Sequence, residues 1–395
     1  MIKIQHRIRD SINLRKRTKN SKLILKGFSL TLLILILILY SILFPLSKSL
    51  IIKKEGNIKL KNNMLERYYC DTIMYAKDVY VRGDYAYVAD SSAGLAIIDI
   101  SDPTNLGPPV YLQTNLAEDV YVNGDYAYIA DGSGLSIINI SDPINPTMSA
   151  YCDTKSWARG VYVSGDYAYI AVSDYGLAII NISDPTNPGT PLYHNTMGHA
   201  YSVYVDGDYA YVADDFSGLA IIDISDPTNP GSPVYRDTNG SALDVYVNGD
   251  YAYIADWNMG LVIINISDPI NPTILAYCNT ESWARSIYVS GDYAYIADWD
   301  MGLAIIEISD PNHPSSPVYR DTIGVAHGVY ANNNYVYIAY YSGLAIINIS
   351  GYKNFKPPES IPGPSFSLLL TISSISILCI IVYINKMVII KKRNN

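Results

Sequence analysis

Residues 207–229, GDYAYVADDFSGLAIIDISDPTN, recur along this chain, and their reading decides the fold. The opening Gly-Asp-Tyr-Ala-Tyr begins at Gly83, Gly124, Gly165, Gly207, Gly249 and Gly291, and Asn333-Asn334-Tyr335-Val336-Tyr337 is a degraded seventh copy. The steps between copies are 41, 41, 42, 42, 42 and 42 residues. Ser-Asp-Pro follows in step at Ser101, Ser141, Ser183, Ser225, Ser267 and Ser309. So regular a period marks a repeat architecture, in which each unit buries its apolar faces against its neighbours.

Each unit reads as four short strands. The first, such as Asp78–Val81 (DVYV), is rich in β-formers. A pair such as Asn123-Gly124 or Asp206-Gly207 then tolerates the positive φ of a tight hairpin. The second strand is Tyr85–Ala89 (YAYVA) and the third Leu95–Ile100 (LAIIDI). Ser-Asp-Pro breaks the sheet, because proline cannot donate into a ladder. The fourth strand is Pro109–Thr114 (PVYLQT). Third strands are apolar on both faces, as expected of sheets packed between two other sheets. The expected fold is all-β, a seven-bladed β-propeller over residues 64–351.

The last unit has no fourth strand of its own. Arg67–Thr72 (RYYCDT), ahead of the first unit, matches the fourth strands PVYRDT at 233–238 and 317–322 and AYCNT at 276–280. This N-terminal strand is expected to complete the last blade and fasten the ring, since an open array leaves sheet edges unpaired.

The third strands LAIID (95–99, 219–223), LAIIN (177–181, 344–348) and LVIIN (261–265) resemble the LVIVD repeat of prokaryotic surface-associated β-propellers. The resemblance covers nearly all of 64–351. It implies a propeller on the cell exterior and implies no catalytic residue.

The flanks differ in composition from the repeats. Residues 1–62 carry 14 Lys/Arg against Asp10 and Glu55, and 352–395 carry six against Glu359. With a whole-chain charge of −9, the middle carries eight basic and 34 acidic residues. A surface so acidic repels phosphate backbones and argues against nucleic-acid binding. Residues 27–47 are uncharged and follow a basic segment, 1–26; at 1.5 Å per residue they reach about 30 Å, enough to span a bilayer core. An uncleaved signal anchor is expected, with a cleaved signal peptide as the alternative. A linker, 48–63, leads to the propeller.

After the propeller, 352–364 form a linker ending in the IPGPS motif at Ile361–Ser365, 365–385 a second apolar segment, and 386–395 a basic tail. This arrangement resembles bacterial and archaeal C-terminal sorting signals; a plain transmembrane helix is the alternative. Together the flanks predict a cell-membrane protein with the propeller outside and both termini cytoplasmic unless processed.

Strand order places the first-to-second hairpins and the Ser-Asp-Pro turns on one monotonous rim. The opposite rim varies, and all four tryptophans fall on it. Its candidate ligand-binding residues are Trp157, Arg159, His199, Tyr201, Phe216, Trp257, Trp283, Arg285, Trp299, His327 and Tyr340. Exposed aromatics carry much of the energy of recognition, and a Trp beside an Arg suits a sugar or a carboxylate. Asp90, Asp131, Asp214, Asp256 and Asp298 close second strands; loop capping is expected of them, calcium ligation being the alternative.

Five histidines, two of them on the variable rim, form no hydrolase motif, so neither catalysis, metal nor cofactor is expected. Cys70, Cys152 and Cys278 take the same position in fourth strands of non-adjacent blades, too far apart to bridge, and Cys379 lies in the second apolar segment. Asn139, Asn181, Asn239, Asn265 and Asn348 begin glycosylation sequons; for the four that end third strands, Asn139, Asn181, Asn265 and Asn348, strand-end hydrogen bonding explains the asparagine equally well. The function expected is binding or adhesion through the variable rim to a protein or glycan. The alternatives are a structural envelope component or, third, a metal-dependent hydrolase or lyase.

Overall fold

The computed structural model describes residues 66–332 and 334–350, all within one compact unit that begins at Leu65. In a representative repeat, Asp78–Arg82, Tyr85–Ala89, Leu95–Asp99 and Val110–Leu112 pair in that order as an antiparallel sheet. Val79 and Val81 of the first strand are buried while Tyr80 between them is half-buried, the alternation of a strand with one face toward a central channel. Second and third strands are buried along nearly their whole length. Seven apolar clusters fill the spaces between successive repeats. In one, Tyr211, Leu219 and Ile221 pack against Val245, Ile254 and Ile264 of the next repeat.

Seven separate four-stranded blades are not what forms. Counted as hydrogen-bonded sheets, the propeller is six-bladed: five sheets of four strands and one of six, which takes in two sequence repeats. In the wide sheet, Thr147–Ser164 is a single strand, outermost in one repeat and innermost in the next. Tyr126–Asn139 likewise joins the second and third strands of one repeat. Four residues, Asp131–Gly134, stand where most repeats have five, such as Asp90–Gly94, and the ladder runs on through Gly132, paired with Ala158, where other repeats keep only an isolated bridge.

The expected transmembrane helices are corrected as well. The described residues are strand, turn and loop, and no helix long and apolar enough to cross a membrane occurs among them. Segments 27–47 and 365–385, the IPGPS motif and Cys379 lie outside the described residues. A membrane-anchored topology with cytoplasmic termini is therefore not carried by the structure.

Closure follows the displaced-strand pattern. Arg67–Asp71 pairs antiparallel with Gly343–Asn348, Tyr69 opposite Ala345 and Cys70 opposite Leu344. Cys70 joins the cluster formed by Val79, Ile98, Leu344 and Ile346, so this strand ties the last repeat to the first. Cys70, Cys152 and Cys278 are free thiols whose Sγ atoms donate to the carbonyls of Gly107, Gly189 and Ser315. Four sequon asparagines, Asn139, Asn181, Asn265 and Asn348, turn their carbonyls onto the following Ser hydroxyls at 2.7 Å.

Gly176, before a third strand, holds φ +71°, and a Cβ there would overlap the backbone of His194 and Thr196 in the fourth strand. Gly176→Ala is expected to destabilise by about 2–4 kcal/mol, combining the left-handed penalty with backbone displacement. Gly165→Ala, at φ +56° in open space, should cost only about 1 kcal/mol. Urea midpoints of the two variants check the difference.

Candidate functional site

The first strands line the central channel, and their tyrosines close a ring. Tyr80, Tyr121, Tyr162, Tyr204, Tyr246, Tyr288 and Tyr330 contact one another in sequence with centroid separations of 4.5 to 5.3 Å, and Tyr330 returns to Tyr80. Burial raises the pKa of the Tyr80, Tyr121, Tyr162, Tyr204, Tyr246 and Tyr288 hydroxyls. The ring constricts the channel with aromatic rings and hydroxyls.

Two residues earlier, on the same strand faces, stand Asp78, Asp119 and Asp244. Asp119 accepts the amide of Val161 at 2.6 Å, and Asp244 accepts the amide of Ile287 at 2.8 Å, so each stitches its strand to the next repeat. Asp244 also accepts the Ser202 hydroxyl at 2.6 Å. Burial raises all three, Asp78 most, helped by the neighbouring charge of Asp119; Asp244 is pushed up to about 6.

Above this layer, the mouth of the channel is lined by Lys77, Glu118, Arg159, Tyr201, Leu243, Arg285 and His327, around a concavity of about 130 Å³. β-Bulges explain how these side chains reach the axis. Pairing slips at Glu118, Arg159 and His327, each between two paired residues, and a bulge re-aims the extra side chain. Burial holds Arg285 below its usual range, and burial together with Arg285 and Lys77 pushes His327 down to about 3. His327 is therefore neutral at pH 7. Glu118 is raised by burial against the pull of Lys77, Arg159 and Arg285.

From the mouth an aromatic arc runs along the variable rim. Trp257 lies 5.5 Å from Trp283, Trp283 lies 5.6 Å from Trp299, and Trp299 meets His327 edge-on at 4.9 Å. The Arg285 guanidinium sits 4.9 Å over Trp299, and Arg159 sits 4.5 Å over Tyr201 and 5.8 Å from Trp157. Beyond Trp299, a mostly apolar groove of about 560 Å³ is bordered by Tyr75, Ile323, Val325 and Tyr341. Tyr75 and Tyr341 stack at 4.5 Å.

The backbone of the arc is unusual. Trp257 and Trp299 take φ of 36° and 42°, at loop positions where Ser91 and Asp215 hold 49° and 51°. These residues bridge to Ala284, Ala326, Ala117 and Ala242 of the following repeat. Left-handed backbone is uncommon for a bulky residue, so two tryptophans kept there point to a role for their side chains.

The structure thus brings together Arg159, Tyr201, Arg285 and His327 at the mouth, and Trp257, Trp283 and Trp299 beside it. Trp157 is exposed and stands beside Arg159; His199 pairs instead with Asp174 at 3.0 Å, and Phe216 projects into solvent from another repeat. Tyr340 does not belong to the rim surface. It is 1% exposed, and its hydroxyl donates to Asp71 of the closing strand at 3.0 Å.

The loop aspartates cap. Asp90, Asp131, Asp214 and Asp298 accept the hydroxyls of Thr72, Thr114, Thr196 and Thr280, together with a loop amide each. Asp256 faces Thr238 in the same arrangement but without a well-formed hydrogen bond. No group of three or more His, Cys, Asp or Glu able to hold a metal occurs among the described residues.

Solved structures share the architecture. U3-55K matches at 9% identity with a TM-score of 0.60, over 72% of this chain and 98% of that one. The RRP9 WD40 repeats match at 9% identity and 0.60, over 72% and 97%. The β-propeller domain of Myceliophteria thermophila Cps50 (Swd1) matches at 11% identity and 0.59, over 72% and 100%. At such identities the likeness is one of fold. No curated protein matches the sequence significantly. The LVIVD repeat, by contrast, matches seven stretches, 74–107, 116–154, 157–196, 197–233, 239–280, 283–318 and 323–352, which together make up more than half of the chain. With its closed ring of strand repeats, the chain belongs to the LVIVD repeat family.

Proposed function

We propose that this propeller is a recognition module that binds a protein or glycan ligand on its variable rim. The continuous arc Trp257–Trp283–Trp299–His327 carries this reading, with two of its tryptophans on left-handed backbone. Tryptophans assembled at a surface and flanked by a concavity are the usual anchors of binding energy. Trp283, 43% exposed, lies between the other two and has free surface to offer.

Full-length protein is to be screened by Trp fluorescence against a peptide pool and a glycan panel. Trp283→Ala is expected to weaken any binding found by at least tenfold while leaving the melting temperature within about 2 °C, since truncating a central anchor typically costs 2 kcal/mol or more. Self-association on dilution series, with unquenched fluorescence and indifference to Trp283→Ala, would instead make the propeller an assembly unit.

A further inference from the structure

Three of the eight basic residues between 63 and 351, Lys77, Arg159 and Arg285, converge on the channel mouth. None of the three makes an ion pair with another described residue. In a body with 34 acids, what sets these three cations apart is that they converge on one mouth. Their heads are positioned by aromatic faces, Arg285 over Trp299 and Arg159 over Tyr201, and held guanidinium groups are the preferred receptors for planar carboxylates.

We propose that the rim takes an acidic peptide segment, with a carboxylate seated between Arg285, Arg159 and Lys77 and a neighbouring apolar side chain in the groove beside Trp299. This rests on the rim being the binding face.

The other charged groups at the mouth permit it. Glu118 is the acid on the same level, facing all three cations without pairing with any. Beneath, Asp119 is committed to the amides of Val120 and Val161, and Asp244 to Ser202 and the amides of Val245 and Ile287. Asp78 lies beside Asp119, and burial together with that neighbouring charge raises it well above the usual carboxylate range. His327, neutral, separates the mouth from the groove and adds no repulsion toward either half of the ligand.

The groove favours a peptide over an acidic saccharide. Its border of Tyr75, Ile323, Val325 and Tyr341 is mostly apolar, and Ile323 is 68% exposed. A leucine or phenylalanine side chain buries apolar area there, whereas sugar hydroxyls would lose water without finding partners.

The test uses full-length protein and three probes: fluorescein-labelled peptides alternating Asp or Glu with Leu or Phe, the same peptides with Asn and Gln in place of the acids, and oligogalacturonate. The acidic peptides should bind at least tenfold more tightly than the amide peptides. Arg285→Gln and Arg159→Gln should each erase most of that preference, and Arg285→Lys should recover part of it, with melting temperatures confirming that the variants fold. Equal binding of the amide peptides, tighter binding of oligogalacturonate, or indifference to both Arg→Gln changes would overturn the acidic-peptide assignment. If Trp283→Ala still weakened binding in those cases, the rim reading would survive; if Trp283→Ala and the arginine variants were all silent, both would fall.

Discussion

Removing Arg67–Thr72 from the full-length chain is expected to lower the melting temperature by roughly 8–15 °C and to broaden the transition. The strand contributes five ladder positions opposite Gly343–Asn348, buries Cys70, and sets Tyr69 edge-on to Tyr340 at 5.8 Å. It also presents Asp71 to the Tyr340 hydroxyl and Thr72 to Asp90 of the first repeat. Without it, Leu344 and Ile346 lose their cover and Tyr340 loses its buried acceptor. Exposing two or three such side chains costs about 3–6 kcal/mol, and a domain of this size shifts by about 2–4 °C per kcal/mol. Calorimetry on the deletion and on Cys70→Pro, which removes a ladder amide within the strand, gives two independent readings. An unchanged melting temperature in both would mean the ring holds without its closing strand.

The second large effect concerns pH. Asp256 is fully buried with no well-formed hydrogen bond on either oxygen, and burial, opposed by the nearby Thr238 hydroxyl and aided by Asp237, pushes it up to about 7. Asp244, pushed up to about 6, titrates in the same direction. In the unfolded chain both ionise near pH 4. Between there and neutrality the folded state holds more protons than the unfolded one, so their contribution to stability is complete below about pH 4 and is lost as pH rises toward 7. Asp90, Asp214 and Asp298 are raised too and act alike. The exposed turn acids Asp99, Asp184, Asp223, Asp226 and Asp310 are lowered, and their effect falls below pH 4 with the opposite sign.

Stability should therefore peak in mild acid and decline toward pH 8. Asp256→Asn keeps the shape without the charge, and is expected to raise the melting temperature at pH 8 by roughly 3–8 °C while changing it by no more than about 2 °C at pH 4.5. Asp298→Asn is the contrast. It weakens the acceptor for Thr280 and the amide of Ser282, and should destabilise at both pH values. Parallel melting curves for the two variants decide the matter; a gain for Asp256→Asn that is equal at both pH values would refute the buried-charge account.

The repeat, the antiparallel order within it and the displaced closing strand were legible because each is written in residues that recur seven times. The merging of two repeats into one wide sheet rests on unbroken pairing at Gly132–Ala158 and the long strand Thr147–Ser164, which a pattern of four short strands per repeat does not foretell. Tyr340 stands in the last repeat where Asp90, Asp131, Asp214, Asp256 and Asp298 stand in others, a position buried in each of them, so its register rather than its aromatic character places it inside.

At the site, tryptophans on the variable rim could be listed from sequence, but not that three of the four would touch. That depends on loops of adjacent repeats leaning across the bridges to Ala284 and Ala326. Bulges at Glu118, Arg159 and His327 defeat simple alternation, which would turn those side chains away from the axis. The tyrosine ring was in plain view, one Tyr in every first strand. Recurrence without variation does not by itself say which face of the strand meets the channel, and the ring is set by that face.

The closing pair has a mechanical side. The chain enters at Glu66 and leaves after Asn348 at the same end of one antiparallel ladder, where the Asn348 amide donates to the Glu66 carbonyl at 2.9 Å. Tension drawn through both flanks loads the rungs one at a time, as a zipper opens, rather than all together as in shear. Any pull on the flanks therefore bears on the Ser-Asp-Pro edge of the ladder, at the opposite end from the tryptophan loops.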